Sequence, residues 1–171
     1  YSLTHVLSLA SEIPARTGEE PFRVARLDGS QCPDLLPATE PRTLANGAEI
    51  IGYQLKGAVK PGQSFEWWVA WRVRQQPPNP AADYHLFNHL VDSGGVRWAQ
   101  ADGPTIPAGA WTVGDLAVQL FRLVVLPEAS PGSFWMRVGM YAYPELQNQP
   151  VLDAAGNPIG DAIILGPLVQ P

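Results

Sequence analysis

The chain of 171 residues is poor in cysteine, in charge and in long apolar runs. Its one cysteine, Cys32, excludes an intrachain disulfide and a cysteine-based metal site. Charged residues make up 16% of the sequence, below the roughly 25% that is usual, so long solvated helices are not expected. The longest apolar runs, at 120–127 and 162–169, are too short and too interrupted to cross a bilayer. Direct insertion of this chain into a membrane is therefore not expected.

Clustered positive charge is also lacking. The net charge is −5, and the 11 lysines and arginines are scattered, with Arg72 and Arg74 as the densest group. Binding to nucleic acid requires clustered cations that neutralise phosphates, and binding to an anionic membrane surface has the same requirement. Neither partner is expected.

The sequence is rich in turn residues, with 18 prolines and 16 glycines, and strand patterns recur between them. In residues 64–74, the alternation of Phe65, Trp67, Val69 and further apolar residues with polar ones indicates a half-buried strand. Residues 133–143 alternate in the same way. Further strands are expected at 5–10, 22–27, 49–55, 84–92, 96–102, 116–127 and 161–170.

Many short strands between turns predict an all-β fold, an antiparallel immunoglobulin-like β-sandwich of about eight or nine strands, with a jelly roll as the alternative. Residues 1–46 are predicted to form N-terminal strands and a connector packed on the sandwich, and residues 47–171 to form the sandwich itself.

The stretch DYHLFNHL, residues 83–90, carries two histidines four positions apart. On a helix, His85 and His89 could share a metal ion. A turn follows at 93–95, however, and a second strand pattern follows the turn, so a hairpin is predicted. On a strand, the two rings share a face but lie roughly 13 Å apart, too far for one zinc ion. No metal, cofactor or catalytic residue is predicted.

Six tryptophans are the main aromatic feature. The alternation assigns Trp67 and Trp71 to the core and leaves four others for the outer face or for loops, namely Trp68, Trp98, Trp111 and Trp135. Exposed indole rings can stack on sugars or cover a partner domain, and both alternatives remain open.

Seven fragments, in this order, resemble the β-sandwich domain that follows the membrane-spanning part of bacterial dolichyl-phosphate-mannose mannosyltransferase-like glycosyltransferases: IIGYQL, KPGQSFEWWVAWRV, DYHLFNHLVD, WAQADGPT, WTVGD, LPEASPGSFWMRVGMYAY and GNPIGDAIILGPL. The same domain occurs in uncharacterised envelope proteins. The resemblance covers about residues 47–169 and departs from the pattern at Asn88, where an apolar residue is usual. Among the recurrent positions are His89 and Asp102.

This resemblance implies a non-catalytic accessory domain outside the cytoplasm, in the cell envelope, with a glycan or a membrane glycosyltransferase portion as partner. Any catalysis would lie in a membrane portion absent from this chain. The tentative ligand-binding residues are Trp68, His89, Trp98, Asp102 and Trp111.

Two other functions fit the sequence. A hydrolase could use His89 with Asp92 or Asp102, provided that a cleft holds these groups within hydrogen-bond reach. The domain could also be a purely structural spacer of the envelope.

Overall fold

The structure, a computed structural model, describes residues 12–13, 22–23, 36–130 and 132–168. The predicted strand at 5–10, most of the one at 22–27, and Cys32 lie outside the described residues. The long strands are β3 (Leu36–Leu44), β4 (Ala48–Lys56), β5 (Ser64–Val73), β6 (Asp83–Asp92), β7 (Arg97–Pro104), β8 (Leu116–Val124) and β9 (Phe134–Tyr143). The short strands are β1 (Glu12–Ile13), β2 (Phe22–Arg23), β10 (Gln147–Asn148), β11 (Val151–Leu152), β12 (Pro158–Gly160) and β13 (Ile163–Leu165).

The long strands form two antiparallel sheets that do not close into a barrel, which confirms the predicted antiparallel β-sandwich. One sheet has six strands in the order β12-β11-β3-β4-β5-β8, and the other has the order β10-β9-β6-β7, with β13 also paired to β9. Strand β3 precedes the predicted domain boundary at residue 47 and is an integral strand of the six-stranded sheet. The boundary itself stays a prediction.

The strands predicted from the sequence leave out residues 144–160, and this omission is wrong. Strands β10, β11 and β12 lie within this range and pair along the sheet edges. Each has only two or three residues, which is too short to show a period-2 pattern in the sequence. Over the described ranges, one 3-10 turn at Ala108–Ala110 is present, and no helix is long and apolar enough to cross a membrane.

The predicted hairpin is confirmed, with β6 and β7 joined by the turn at 93–96. The Asp92 carboxylate holds this turn, because its Oδ1 accepts hydrogen bonds from the backbone N–H of Gly94 at 2.8 Å and of Val96 at 3.0 Å. Gly95 has φ of 79°, a conformation that glycine adopts without strain. Since β6 is a strand, the helical interpretation of the two histidines is excluded.

The core lies between the sheets, and it contains Trp67 and Trp71 as predicted. Both indole N–H groups are satisfied there: Trp67 donates to Asn88 Oδ1 at 3.0 Å and Trp71 to Gln119 Oε1 at 2.9 Å. Buried polar atoms without a partner are costly, and the two amide side chains remove that cost. The inward face of β6 is consequently fixed by Asn88 as well as by its apolar neighbours Leu86 and Leu90.

Candidate functional site

Strand β6 lies in the middle of the five-stranded sheet, between β9 and β7. Because Leu86, Asn88 and Leu90 face the core, the alternating residues of β6 face outward. Their partners across the two ladders also face outward, which brings three strands' side chains onto one surface. We call this surface the polar strip, and it comprises Phe87, His89, Gln100, Asp102, Arg137 and Tyr141.

His89 and Asp102 meet at the β7 side of the polar strip. His89 pairs with Gln100 and Phe87 pairs with Asp102 in the ladder, so the imidazole and the carboxylate are diagonal neighbours. His89 Nε2 lies 3.6 Å from Asp102 Oδ1, and the side chains are 19% and 23% exposed. Gln100 Nε2 donates to Asp102 Oδ2 at 3.4 Å. Hydrogen-bond donors and acceptors are therefore gathered within reach of solvent.

A row of rings runs across the strip toward β9. The Phe87 ring centroid lies 5.0 Å from that of His89 and 6.4 Å from that of Tyr141, which it meets at an interplanar angle of 21°. The row continues beyond the strip, where His85 stacks on Tyr143 with centroids 4.8 Å apart and an angle of 14°. His85 is buried, and its Nδ1 lies 3.4 Å from the Tyr141 hydroxyl. His85 therefore packs against both tyrosines.

Gly139 makes room for this row, because it is the ladder partner of Phe87. A Cβ atom built on Gly139 would lie 2.5 Å from Phe87 Cζ, far inside van der Waals contact. The absence of a side chain at position 139 thus permits the Phe87 ring to lie flat over β9.

We expect Gly139→Ala to lower the free energy of unfolding by about 1–3 kcal/mol, because the methyl group must displace a buried ring. Chemical denaturation measures the effect. Gly132→Ala is the matched control, since a Cβ there meets nothing within 4 Å, and it should change stability by much less. Equal stability of the two variants would contradict this packing.

Charged side chains of both signs lie in and beside the polar strip. Arg137 Nη2 lies 3.1 Å from Asp161 Oδ1, at the β13 side, so its guanidinium is already paired. Asp161 also accepts a hydrogen bond from Asn148 Nδ2 at 3.4 Å. Asp102 lies on the other side, next to His89. An anion approaching the strip would meet the carboxylates of Asp102 and Asp161, the paired Arg137, and the exposed Arg97, whose ladder partner Val91 lies on the same face.

Of the five predicted ligand-binding residues, the structure brings together only His89 and Asp102. Trp68 follows the core residue Trp67 on β5 and therefore lies on the outer face of the six-stranded sheet, across the sandwich. Trp98 is half-buried beside the hairpin turn, where its Nε1 donates to Asp92 Oδ2 at 2.8 Å. The hydrogen bond from the Trp98 indole is the largest cause that lowers the pKa of the Asp92 carboxyl below its usual range. The hydrogen bond from the Val96 N–H is the second.

Trp111 lies in a loop, one of the two places predicted for it, but its ring is buried and is not exposed for stacking on a sugar. Trp111 is 3% exposed, and its ring packs against Trp71 and Tyr84 with centroids 5.1 and 5.6 Å away. Its Nε1 donates to the Ile106 carbonyl at 2.9 Å. The loop that carries it folds over the open end of the core, so Trp111 is part of that core.

Sequence reasoning missed Phe87, Gln100, Arg137 and Tyr141 as members of the site. The alternation in 133–143 did assign Arg137 and Tyr141 to one face, and this was the available signal. Its meaning depends on the register between β6 and β9, which pairs His89 with Arg137 and His85 with Tyr141.

The side chains of the strip do not form a cation site. Within the described part of the chain, no group of three or more His, Cys, Asp or Glu residues is arranged to hold a metal ion. His85 and His89 lie two pleats apart on β6, roughly 13 Å along the strand. The acceptors of the strip are thus available for hydroxyl or amide ligands.

Comparisons with known proteins give a fold likeness only. No family model matches the chain, and no curated protein matches it. Among solved structures, it is similar to the C-terminal domain of Wzt, with 16% identity and a TM-score of 0.48, over 75% of this chain and 78% of that one. The fold and the polar strip define the chain as an antiparallel β-sandwich with a polar-aromatic face on its five-stranded sheet. The link to membrane glycosyltransferases stays a prediction.

Proposed function

We propose that this protein is a non-catalytic glycan-binding β-sandwich domain of the cell envelope and that the polar strip is its binding face. The observation that carries the proposal is the juxtaposition of a row of rings with the Asp102 carboxylate, the Gln100 amide and the His89 imidazole. The residues come from three adjacent strands of a rigid sheet, so the surface is formed in advance of binding.

A sugar ring presents an apolar face and a rim of hydroxyl groups. Tyr141 is half-buried and Tyr143 is 39% exposed, so part of each ring reaches the surface at the β9 side, where a sugar can stack. At the β7 side, Asp102 accepts hydrogen bonds from sugar hydroxyls, while the Gln100 amide and His89 can donate to them. The rings for stacking and the polar groups for hydrogen bonding thus lie on the same face of the sheet.

The charges favour a neutral glycan. Asp102 and Asp161 repel an anionic sugar, and Arg137 is already paired with Asp161. The net charge of −5 acts in the same direction at long range. We therefore expect neutral polysaccharides to bind more tightly than polymers of uronic acids. In the envelope, such binding would serve a membrane glycosyltransferase portion by retaining its glycan.

We expect Asp102→Ala to weaken binding of a neutral glycan about tenfold, because a hydrogen bond to a charged acceptor contributes about 1.5–3 kcal/mol. Isothermal titration calorimetry over a panel of neutral and uronic-acid polysaccharides measures the affinity. Glu128→Ala, which removes an exposed carboxylate outside the polar strip, should leave the affinity unchanged. Absence of binding to every member of the panel would remove the glycan proposal and leave a spacer or domain-packing role.

A hydrolase that uses His89 with Asp102 is the second candidate: the two groups are neighbours, 3.6 Å apart, which is just beyond hydrogen-bond reach. Incubation of the bound glycan with the protein, followed by analysis of released reducing ends, separates the two functions. Release that is lost in His89→Ala would favour the hydrolase, and an intact glycan favours the binding domain.

A further inference from the structure

Trp68 lies on the other outer face, that of the six-stranded sheet, on the strand next to the edge strand β8. Its ladder partners are Gln54 on β4 and Leu120 on β8. Leu120 is exposed, and beyond it Arg122 pairs with Glu66 through an Nη2–Oε1 distance of 3.3 Å. A flat indole ring is thus set between an amide, an apolar side chain and an ion pair. None of these residues belongs to the polar strip.

Two polar atoms at this position are buried without a hydrogen-bond partner among the described residues, namely Trp68 Nε1 and Gln54 Oε1. Four of the other five tryptophans behave differently, since Trp67, Trp71, Trp98 and Trp111 all donate to a protein oxygen. The unpaired indole N–H and the unpaired amide oxygen lie on paired residues. They indicate a bound group that accepts a hydrogen bond from the indole and donates one to the amide oxygen.

We propose that Trp68 and Gln54 form a second binding site that takes one hydroxyl group of a neutral sugar. A hydroxyl can accept from the indole N–H and donate to the amide oxygen at the same time, whereas a carboxylate or an ammonium group satisfies only one of them. The sugar ring then stacks on the indole, and its apolar edge reaches Leu120. This site goes beyond the proposed function of the polar strip and does not depend on it.

Lys56 controls access to the site. Its ammonium nitrogen lies 5.3 Å from the centroid of the Trp68 ring, so the lysine side chain covers an indole face in the absence of ligand. Lysine is long and flexible, and its head remains in water when it swings aside. A sugar therefore replaces Lys56 on the ring without disturbing the sheet.

The test is a titration of ¹⁵N-labelled protein with methyl glucoside and methyl mannoside, observed at the indole N–H resonances. Trp68→Phe assigns the Trp68 signal and should abolish binding at this site. Gln54→Met keeps the side-chain length but removes the acceptor, and we expect it to weaken binding at least fivefold. Lys56→Ala should tighten binding about twofold to fivefold because the ring is already uncovered.

The expected result is a saturable shift of the Trp68 indole signal while the Trp111 signal, from the core, does not move. A Trp68 signal that is unmoved by both glycosides in the wild type and in Lys56→Ala would overturn the proposal and leave an ordered water between the two atoms. Asp102→Ala should not alter this titration. Loss of polar-strip binding is thus distinguished from loss of binding at Trp68.

Discussion

Replacing Trp111 with alanine is expected to lower the free energy of unfolding by about 3–5 kcal/mol, the cost typical of deleting a buried tryptophan. The ring fills the core between Trp71 and Tyr84, and its N–H bond to the Ile106 carbonyl ties the loop to that core. Since whole domains are stable by about 5–15 kcal/mol, this single change removes a large part of the total.

Urea unfolding monitored by circular dichroism measures the effect of Trp111→Ala. Trp135→Ala is the matched control, because Trp135 is only half-buried on the outer face of β9. The control should lose less than half as much stability. A loss for Trp111→Ala no larger than for the control would show that the loop does not close the core as described.

Replacing Asn88 with leucine is expected to lower the free energy of unfolding by about 2–4 kcal/mol, although leucine restores the apolar residue that the family pattern leads one to expect. The Asn88 amide accepts from Trp67 Nε1 at 3.0 Å and donates to the Ala101 carbonyl at 3.1 Å. Leucine has the same branched shape and number of side-chain heavy atoms, although it is larger, and it leaves the fully buried indole N–H without an acceptor.

A double-mutant cycle isolates this hydrogen bond. In the background of Trp67→Phe, which has no N–H group to satisfy, Asn88→Leu should cost much less, by about 1–2 kcal/mol. An equal cost in the two backgrounds would mean that the Trp67–Asn88 bond does not explain why an amide stands in the core.

The strands and the hairpin could be predicted from the sequence because one face of each is buried. Burial on one side imposes the period of two that residues 64–74 display, and it ties the register to the side-chain pattern. The turn at 93–95 then fixes the pairing of β6 with β7, and with it the approach of His89 to Asp102. Four of the six residues of the polar strip, those on β6 and β7, were therefore within reach of local sequence reasoning.

The other two residues depend on contacts between distant segments. Arg137 and Tyr141 reach the strip only because β9 pairs with β6, and no local pattern specifies that register. The burial of Trp111 could not be predicted for a related reason. Trp111 follows a 3-10 turn inside a loop, where alternation gives no information about burial. Likewise, the sequence does not distinguish its six tryptophans in this respect. Only the packing shows that the buried indole N–H of Trp68 lacks a hydrogen-bond partner among the described residues.

The most direct test of the central claim is an amide chemical-shift map of the ¹⁵N-labelled protein with oligosaccharides from a neutral polysaccharide that binds in calorimetry. Binding at the polar strip should perturb the backbone amides of 87–89, 100–102 and 137–141, and Asp102→Ala should weaken those perturbations about tenfold. Saturable perturbations confined to residues outside β6, β7 and β9, or identical titrations for the wild type and Asp102→Ala, would contradict the claim that this sheet face binds glycan.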